Sequence, residues 1–151
     1  MMIYLDAEQQ GQIARHGEAT YPHEGCGLLL GQLDPDAIRV AEVLTVDNVR
    51  EDSRHNRYVI APEDVLRAER EADAKGLELV GFFHSHPDAA PVPSDYDLEH
   101  ASWPGFAYVI VSIQQGRATT TRAWQLSPDR TTFEELTWME PSLSDEGGVR
   151  Q

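Results

Sequence analysis

The sequence predicts an α/β domain, a mixed, mostly antiparallel sheet of about eight strands flanked by about three helices. Eight short runs have strand composition, and several consecutive ones are separated only by turn signals. Three other segments carry helix start signals and charged outer faces. At 151 residues the chain fits one domain that buries roughly 70 per cent of its unfolded surface.

A first strand lies around Ile3 to Leu5, and Asp6 then caps a helix that runs toward Pro22, interrupted by Gly11 and Gly17. "GCGLLLGQL" is too short and too uniformly apolar for a surface helix, so it reads as a buried strand. After a turn at "DPDA", "IRVAEVLTV" returns beside it. Polar "DNVREDSRHN" is a loop and "RYVIA" a short strand. "PEDVLRAEREADAKG" is a helix with Pro62 at its start and Gly76 at its end. Its apolar positions Val65, Leu66, Ala68, Ala72 and Ala74 form a narrow stripe suited to lying on a sheet. "LELVGFFHSH" has the apolar body of a central strand. A Pro-rich connection leads to a helix from about Ser94 to Trp103, and "FAYVIVSIQ", "RATTTRAWQL" and "TTFEELTWM" complete the strands. The domain is expected to span 1–139. The last residues, 140–151, lack periodicity and are expected to be a flexible tail.

A net charge of −14 disfavours nucleic acid as a partner, because Lys and Arg supply most non-specific affinity for phosphate backbones. Eleven of the basic residues are Arg and only Lys75 is Lys, a composition that suits a salt-adapted or GC-rich source. The N-terminus has no basic segment followed by an apolar run, and nowhere do about 18 apolar residues run together. No membrane association and a cytoplasmic location are therefore expected. Cys26, the single cysteine, can form no internal disulfide, so a bound metal must rely on nitrogen and oxygen ligands.

The chemistry concentrates in "HSHPDAAPVPSDYD", residues 84–97. Side chains alternate along a strand, so His84 and His86 share a face while Ser85 points to the other. Pro87 should end the strand, leaving both histidines at its mouth where water is plentiful. Asp97 lies in the first turn of the next helix. Together they could form a two-histidine, one-carboxylate set with an open position for water. Ser94 and Asp97 also match a capping box, which alone would explain them as helix-terminal residues. Glu24 could likewise be an ordinary loop acid, and Cys26 a small packed residue. His16, His23, His55 and His100 have no partner spacing.

His84, Ser85 and His86, followed after seven residues by Ser94 and Asp97, resemble the signature of the JAMM metalloproteases, the catalytic form of the Mov34/MPN/PAD-1 domain. Glu24, placed before the apolar run "GCGLLLG", matches the upstream glutamate of that family. The resemblance covers about residues 3 to 139 and implies an MPN-like fold, layered as in the cytidine deaminases. It implies one Zn2+ per chain on His84, His86 and Asp97, with Glu24 as general base and then proton donor to the leaving amine. Ser94 would donate to the oxyanion, although its one proton could not also serve a backbone carbonyl. Ser85, facing away, would support the ligand backbone.

The chain resembles the short bacterial form, which is thought to act on ubiquitin-like sulfur-carrier proteins. A peptidase or isopeptidase cutting after the Gly-Gly end of such a partner is therefore expected. Three alternatives are weaker. A RadC-like DNA-associated protein usually reads "HNHPSG", a non-catalytic MPN scaffold typically lacks the ligands, and a zinc deaminase needs a "PCxxC" pair. Gly147 and Gly148 raise the further idea of a cleavable tail that mimics the carrier.

Overall fold

In the computed structural model of the protein, residues 1–139 are described. The anticipated tail, with Gly147 and Gly148, lies outside the described residues. The elements in chain order are β1 (Met2–Tyr4), α1 (Ala7–Thr20), β2 (Cys26–Leu33), β3 (Ala37–Val46), α2 (Pro62–Ala74), β4 (Glu78–Pro87) and α3 (Asp95–His100). Strands β5 (Ala107–Gln114), β6 (Arg117–Leu126), β7 (Phe133–Glu135) and β8 (Thr137–Trp138) follow.

The strands form one sheet in the order β7-β6-β5-β4-β2-β3-β1-β8. The pairs β2–β3, β2–β4, β5–β6 and β6–β7 are antiparallel, while β4–β5, β1–β3 and β1–β8 are parallel. As its apolar body implies, β4 is central. Strands β7 and β8 are separated only by Leu136, yet they pair with opposite edges of the sheet. Leu136 N–H donates to Ala123 O at 2.8 Å, and Thr137 N–H donates to Met1 O at 3.2 Å. The sheet therefore curls until one chain segment joins its two edges.

Each face of the curled sheet carries its own core. Helix α1 contributes Ile13 to a cluster with Ile3, Leu29, Ile38, Val109 and Leu136. Helix α2 places Ala68 and Ala72 among Leu28, Leu30, Leu79 and Phe82 on the other face. Leu29 thus belongs to one cluster while Leu28 and Leu30 belong to the other, as strand alternation requires. Burial on both faces explains why β2, β4 and β5 read as continuous apolar runs.

Helix α1 is fastened at its start by a capping box between Asp6 and Gln9. Gly17 does not interrupt it. A Cβ there would meet Ile113 Cδ1 at 2.9 Å and Ser85 Cβ at 3.1 Å, so the missing side chain lets the helix approach the sheet closely.

Two expected elements differ. "RYVIA" is not a sheet strand; Ile60 makes only an isolated bridge to Asn48. The segment's backbone is taken up by the Asn48 side chain instead, which donates to Arg57 O at 3.1 Å and accepts from Val59 N–H at 3.1 Å. The strand count remains eight because "TTFEELTWM" divides at Leu136. Helix α3 ends at His100 rather than Trp103, and Ala101 is already extended with ψ 132°. Pro104 follows Trp103, and the residue before a proline is disfavoured in the helical region.

Candidate metal centre

Strand β4 sets two of the candidate side chains. Its register places His84 opposite Cys26 on β2 and Ile110 on β5, so the backbone at that position is paired on both sides. His84 and His86 share a face, and the strand ends at Pro87. The expectation of a water-rich mouth is not met, since His84 and His86 are only 1% and 6% exposed. The Tyr58 ring stacks on His84 at 4.6 Å between centroids and 23° between planes. Helix α3, which follows the Pro-rich connection, brings Asp97 against both imidazoles.

The three ligand-type atoms make a compact triangle. His84 Nε2 and His86 Nε2 are 3.1 Å apart, and Asp97 Oδ2 lies 3.3 Å from the first and 3.1 Å from the second. A tetrahedral ion with bonds of about 2.0–2.1 Å would separate its ligand atoms by about 3.3 Å. His86 Nδ1 lies 2.8 Å from Ala90 O, which assigns its proton to Nδ1. His86 then turns Nε2 toward the carboxylate and His84. Converging lone pairs repel unless a proton or cation lies among them, so this donor set fits a metal ion. The backbone carbonyl behind His86 is the usual partner that fixes a metal-binding tautomer.

Protonation agrees with that fit. Burial pushes the His84 imidazole below its ordinary value, although Asp97 pulls the other way. Burial by itself would raise Asp97, but the neighbouring His84, then His86 and the Ser94 N–H, hold its carboxyl well below the usual carboxylate range. The two directions favour the forms a metal would need, a neutral imidazole at His84 and an ionised carboxylate at Asp97.

Glu24 lies two residues before the start of β2 and is only 3% exposed, so it is not a solvated loop acid. Its backbone is held from two directions. Glu24 N–H donates to Arg54 O at 2.6 Å, and Asn48 Nδ2 donates to Glu24 O at 3.0 Å. Next to it, Gly25 N–H donates to Ser85 Oγ at 2.7 Å and Gly25 O accepts from Ser85 N–H at 3.0 Å. Ser85 thus ties the strand bearing the histidines to the segment bearing Glu24. Gly25 also lets this segment lie against the end of α1, because a Cβ there would lie 2.6 Å from Thr20 Oγ1.

The Glu24 side chain carries a buried Oε1 with no hydrogen-bond partner. Burial, and then repulsion from Asp97, push its pKa up to about 9, against a smaller opposing effect of Arg57. A divalent cation at the triangle would favour the ionised form again.

Ser94 and Asp97 form the capping box, and the same Asp97 oxygen that meets the histidines takes part in it. Ser94 Oγ accepts from Asp97 N–H at 3.0 Å, and Asp97 Oδ2 accepts from Ser94 N–H at 2.9 Å. The hydroxyl accepts in the cap, so its own proton remains available to another acceptor. The expected competition between cap and oxyanion does not arise.

Other candidates take no part. Cys26 is buried, its thiol pushed up to about 12 by burial and nearby acids, which makes it a packed and unreactive group. His16 lies edge-on to Phe83, while His23 and His55 are exposed. A cavity of about 400 Å3 opens beside His84 and Asp97 and is lined by Tyr58, Phe82, Trp103 and Tyr108 among others. Sequence reasoning missed Asn48, Arg57, Tyr58 and Tyr96. Their contacts join residues far apart in the chain, and no local spacing signals them.

A His-His-carboxylate group at the end of a central strand, with a buried glutamate next to it, defines the class of single-metal hydrolytic proteins. The sequence profile of prokaryotic homologs of the JAB domain matches residues 6–127, and the chain belongs to that family, the short prokaryotic form of the JAMM/MPN domain. It is 43% identical over 107 residues to a desampylase of Haloferax volcanii, covering 70% of this chain and 74% of that one. To a probable TtuB-protein conjugate cleaving protease of Thermus thermophilus it is 33% identical over 118 residues, covering 78% and 75%. A solution structure of a protein from Salinibacter ruber superposes with a TM-score of 0.71 at 40% identity, covering 94% of each chain. Among the described residues no helix is long and apolar enough to cross a membrane.

Proposed function

We propose that the protein is a zinc-dependent peptidase or isopeptidase that hydrolyses the bond after the C-terminal Gly-Gly of a ubiquitin-like or sulfur-carrier protein. The observation that carries this reading is the convergence of His84, His86 and Asp97 with the buried Glu24 close by. The relatives named as a desampylase and as a conjugate-cleaving protease support the substrate class.

His84, His86 and Asp97 would hold one Zn2+ per chain. Bound there, the ion would polarise the scissile carbonyl and make water acidic enough to ionise near neutral pH. Glu24 accepts the proton of the attacking water at its unpartnered Oε1 and returns it to the leaving amine. Ser94 donates its free hydroxyl proton to the carbonyl oxygen as negative charge grows there. The His86–Ala90 hydrogen bond and the Ser85–Gly25 pair keep the ligand and the base in place. A Gly-Gly end suits so enclosed a centre, because it brings no side chains to the bond being cut.

The test is to incubate zinc-loaded protein with carrier proteins extended beyond Gly-Gly and to measure their mass. The expected result is a product ending at Gly-Gly that a chelator prevents. Intact carriers in the presence of protein shown to contain zinc would refute the reading.

A further inference from the structure

The loop between β3 and α2, residues 47–61, touches both the Glu24 segment and His84. Arg54 O and the Asn48 side chain hold the Glu24 backbone, and Tyr58 stacks on His84. The loop also reaches α3. Arg57 places its guanidinium carbon 3.7 Å from the centre of the Tyr96 ring, and Arg50 Nη1 donates to the Tyr96 hydroxyl at 2.8 Å. His100 stacks on the same ring at 3.9 Å. Two groups this close to one ring centre must occupy opposite faces, so Tyr96 is sandwiched between Arg57 and His100.

Helix α3 needs such a hold. It has six residues and no fully buried side chain, so packing anchors it weakly. The Pro-rich connection before it is tied to the sheet only as far as Pro91, whose carbonyl accepts from Trp124 Nε1, and Leu98 and Ala101 pack only half-buried on the second core. Yet Asp97, directly after Tyr96, must present one oxygen to both histidines. Cation–π contacts are most favourable when desolvated, and Arg57 and Tyr96 are each partly shielded from solvent.

We propose that Arg57 and Arg50 clasp Tyr96 and thereby position Asp97 for metal binding, which makes loop 47–61 a working part of the metal centre. The inference rests on the reading of His84, His86 and Asp97 as metal ligands. Tyr96, Arg57 and Arg50 are positioning residues; they act through Asp97 and do not touch the ion.

The experiment measures zinc affinity of the full chain by competition with a chromophoric chelator, for the wild type and for Arg57→Ala, Tyr96→Leu, Tyr96→Phe and the Arg57→Ala/Tyr96→Leu pair. Each of the first two variants should bind zinc roughly tenfold more weakly, by the usual strength of such contacts. Tyr96→Phe keeps the ring between Arg57 and His100 and should stay within about threefold of wild type. The double variant should lose no more than the weaker-binding single variant, since both remove one contact. Melting of the metal-free proteins, followed by circular dichroism, identifies a general loss of fold, which Phe rescue would not accompany. Wild-type affinity in both single variants, or fully additive losses in the pair, overturns the clasp while the ligand assignment stands. Absence of zinc binding by the wild type overturns both.

Discussion

The end of β4 and the start of α3 bring the proposed ligands to one site by opposite means. His84 and His86 sit on a strand paired on both sides, are almost fully buried, and have their positions dictated by the sheet register. The Asp97 side chain is about as enclosed, but it sits on a six-residue helix held by a capping box and by the grip of the loop on Tyr96. The strand side is built before any ion arrives. The helix side is assembled from individual polar contacts, each worth little alone, so local opening should begin there. The comparison teaches that rigidity is shared unequally among the ligands of a single centre.

The largest effect should come from the strand side. His84→Ala should abolish stoichiometric zinc binding and with it the peptidase activity, measured as zinc per chain after gel filtration. Zinc retained in this variant would show that the sheet-borne histidine is not a ligand. Next, Glu24→Gln should keep zinc but slow turnover by about 10²–10⁴-fold, the range for losing a general acid–base group. Together the two substitutions separate holding the metal from moving the proton.

Ser94→Ala probes the helix side twice. Turnover should fall by about 10²–10³-fold if the hydroxyl stabilises the oxyanion. Loss of the cap should also lower stability by about 1 kcal/mol, or ~2–4 °C in melting temperature. Ser94→Asn preserves a cap acceptor and should restore most of the melting temperature. A melting temperature unaffected by Ser94→Ala would mean that α3 does not depend on its cap.

The smallest effect concerns Glu24 in the metal-free protein. Its folded-state pKa is raised from 4.5 to about 9, chiefly by burial. The protonated form is therefore favoured on folding, a contribution fully present below 4.5 and lost as pH rises toward 9. Glu24→Gln, which cannot ionise, should melt higher than wild type at pH 8. The gap should close near pH 4.5. A constant gap in thermal melts across that range would show that Glu24 is not desolvated.

Much of the architecture was legible because it follows from local rules. Asp6 caps α1, Pro62 opens α2, and the apolar run of β4 marks a central strand. "RYVIA" misled because strand composition does not reveal which partner a backbone finds, and here the Asn48 side chain takes up Arg57 O and Val59 N–H. The burial of the histidines was illegible for a related reason. Tyr58 and α3 cover them, and neither is adjacent to them in the chain.

The sequence by itself determined which atoms could meet. Alternation along β4 put His84 and His86 on one face and Ser85 on the other, and the Ser94–Asp97 spacing made a helix start. These are covalent constraints, set by backbone periodicity over a few residues. Only the tertiary structure decided that Glu24 stands beside the triangle with its pKa raised, that Ser94 keeps a proton to donate, and that a loop from 47 to 61 reaches the base, a histidine and the helix together. Those properties depend on burial, on charge at a few ångströms and on contacts across tens of residues, which exist only once the sheet has curled.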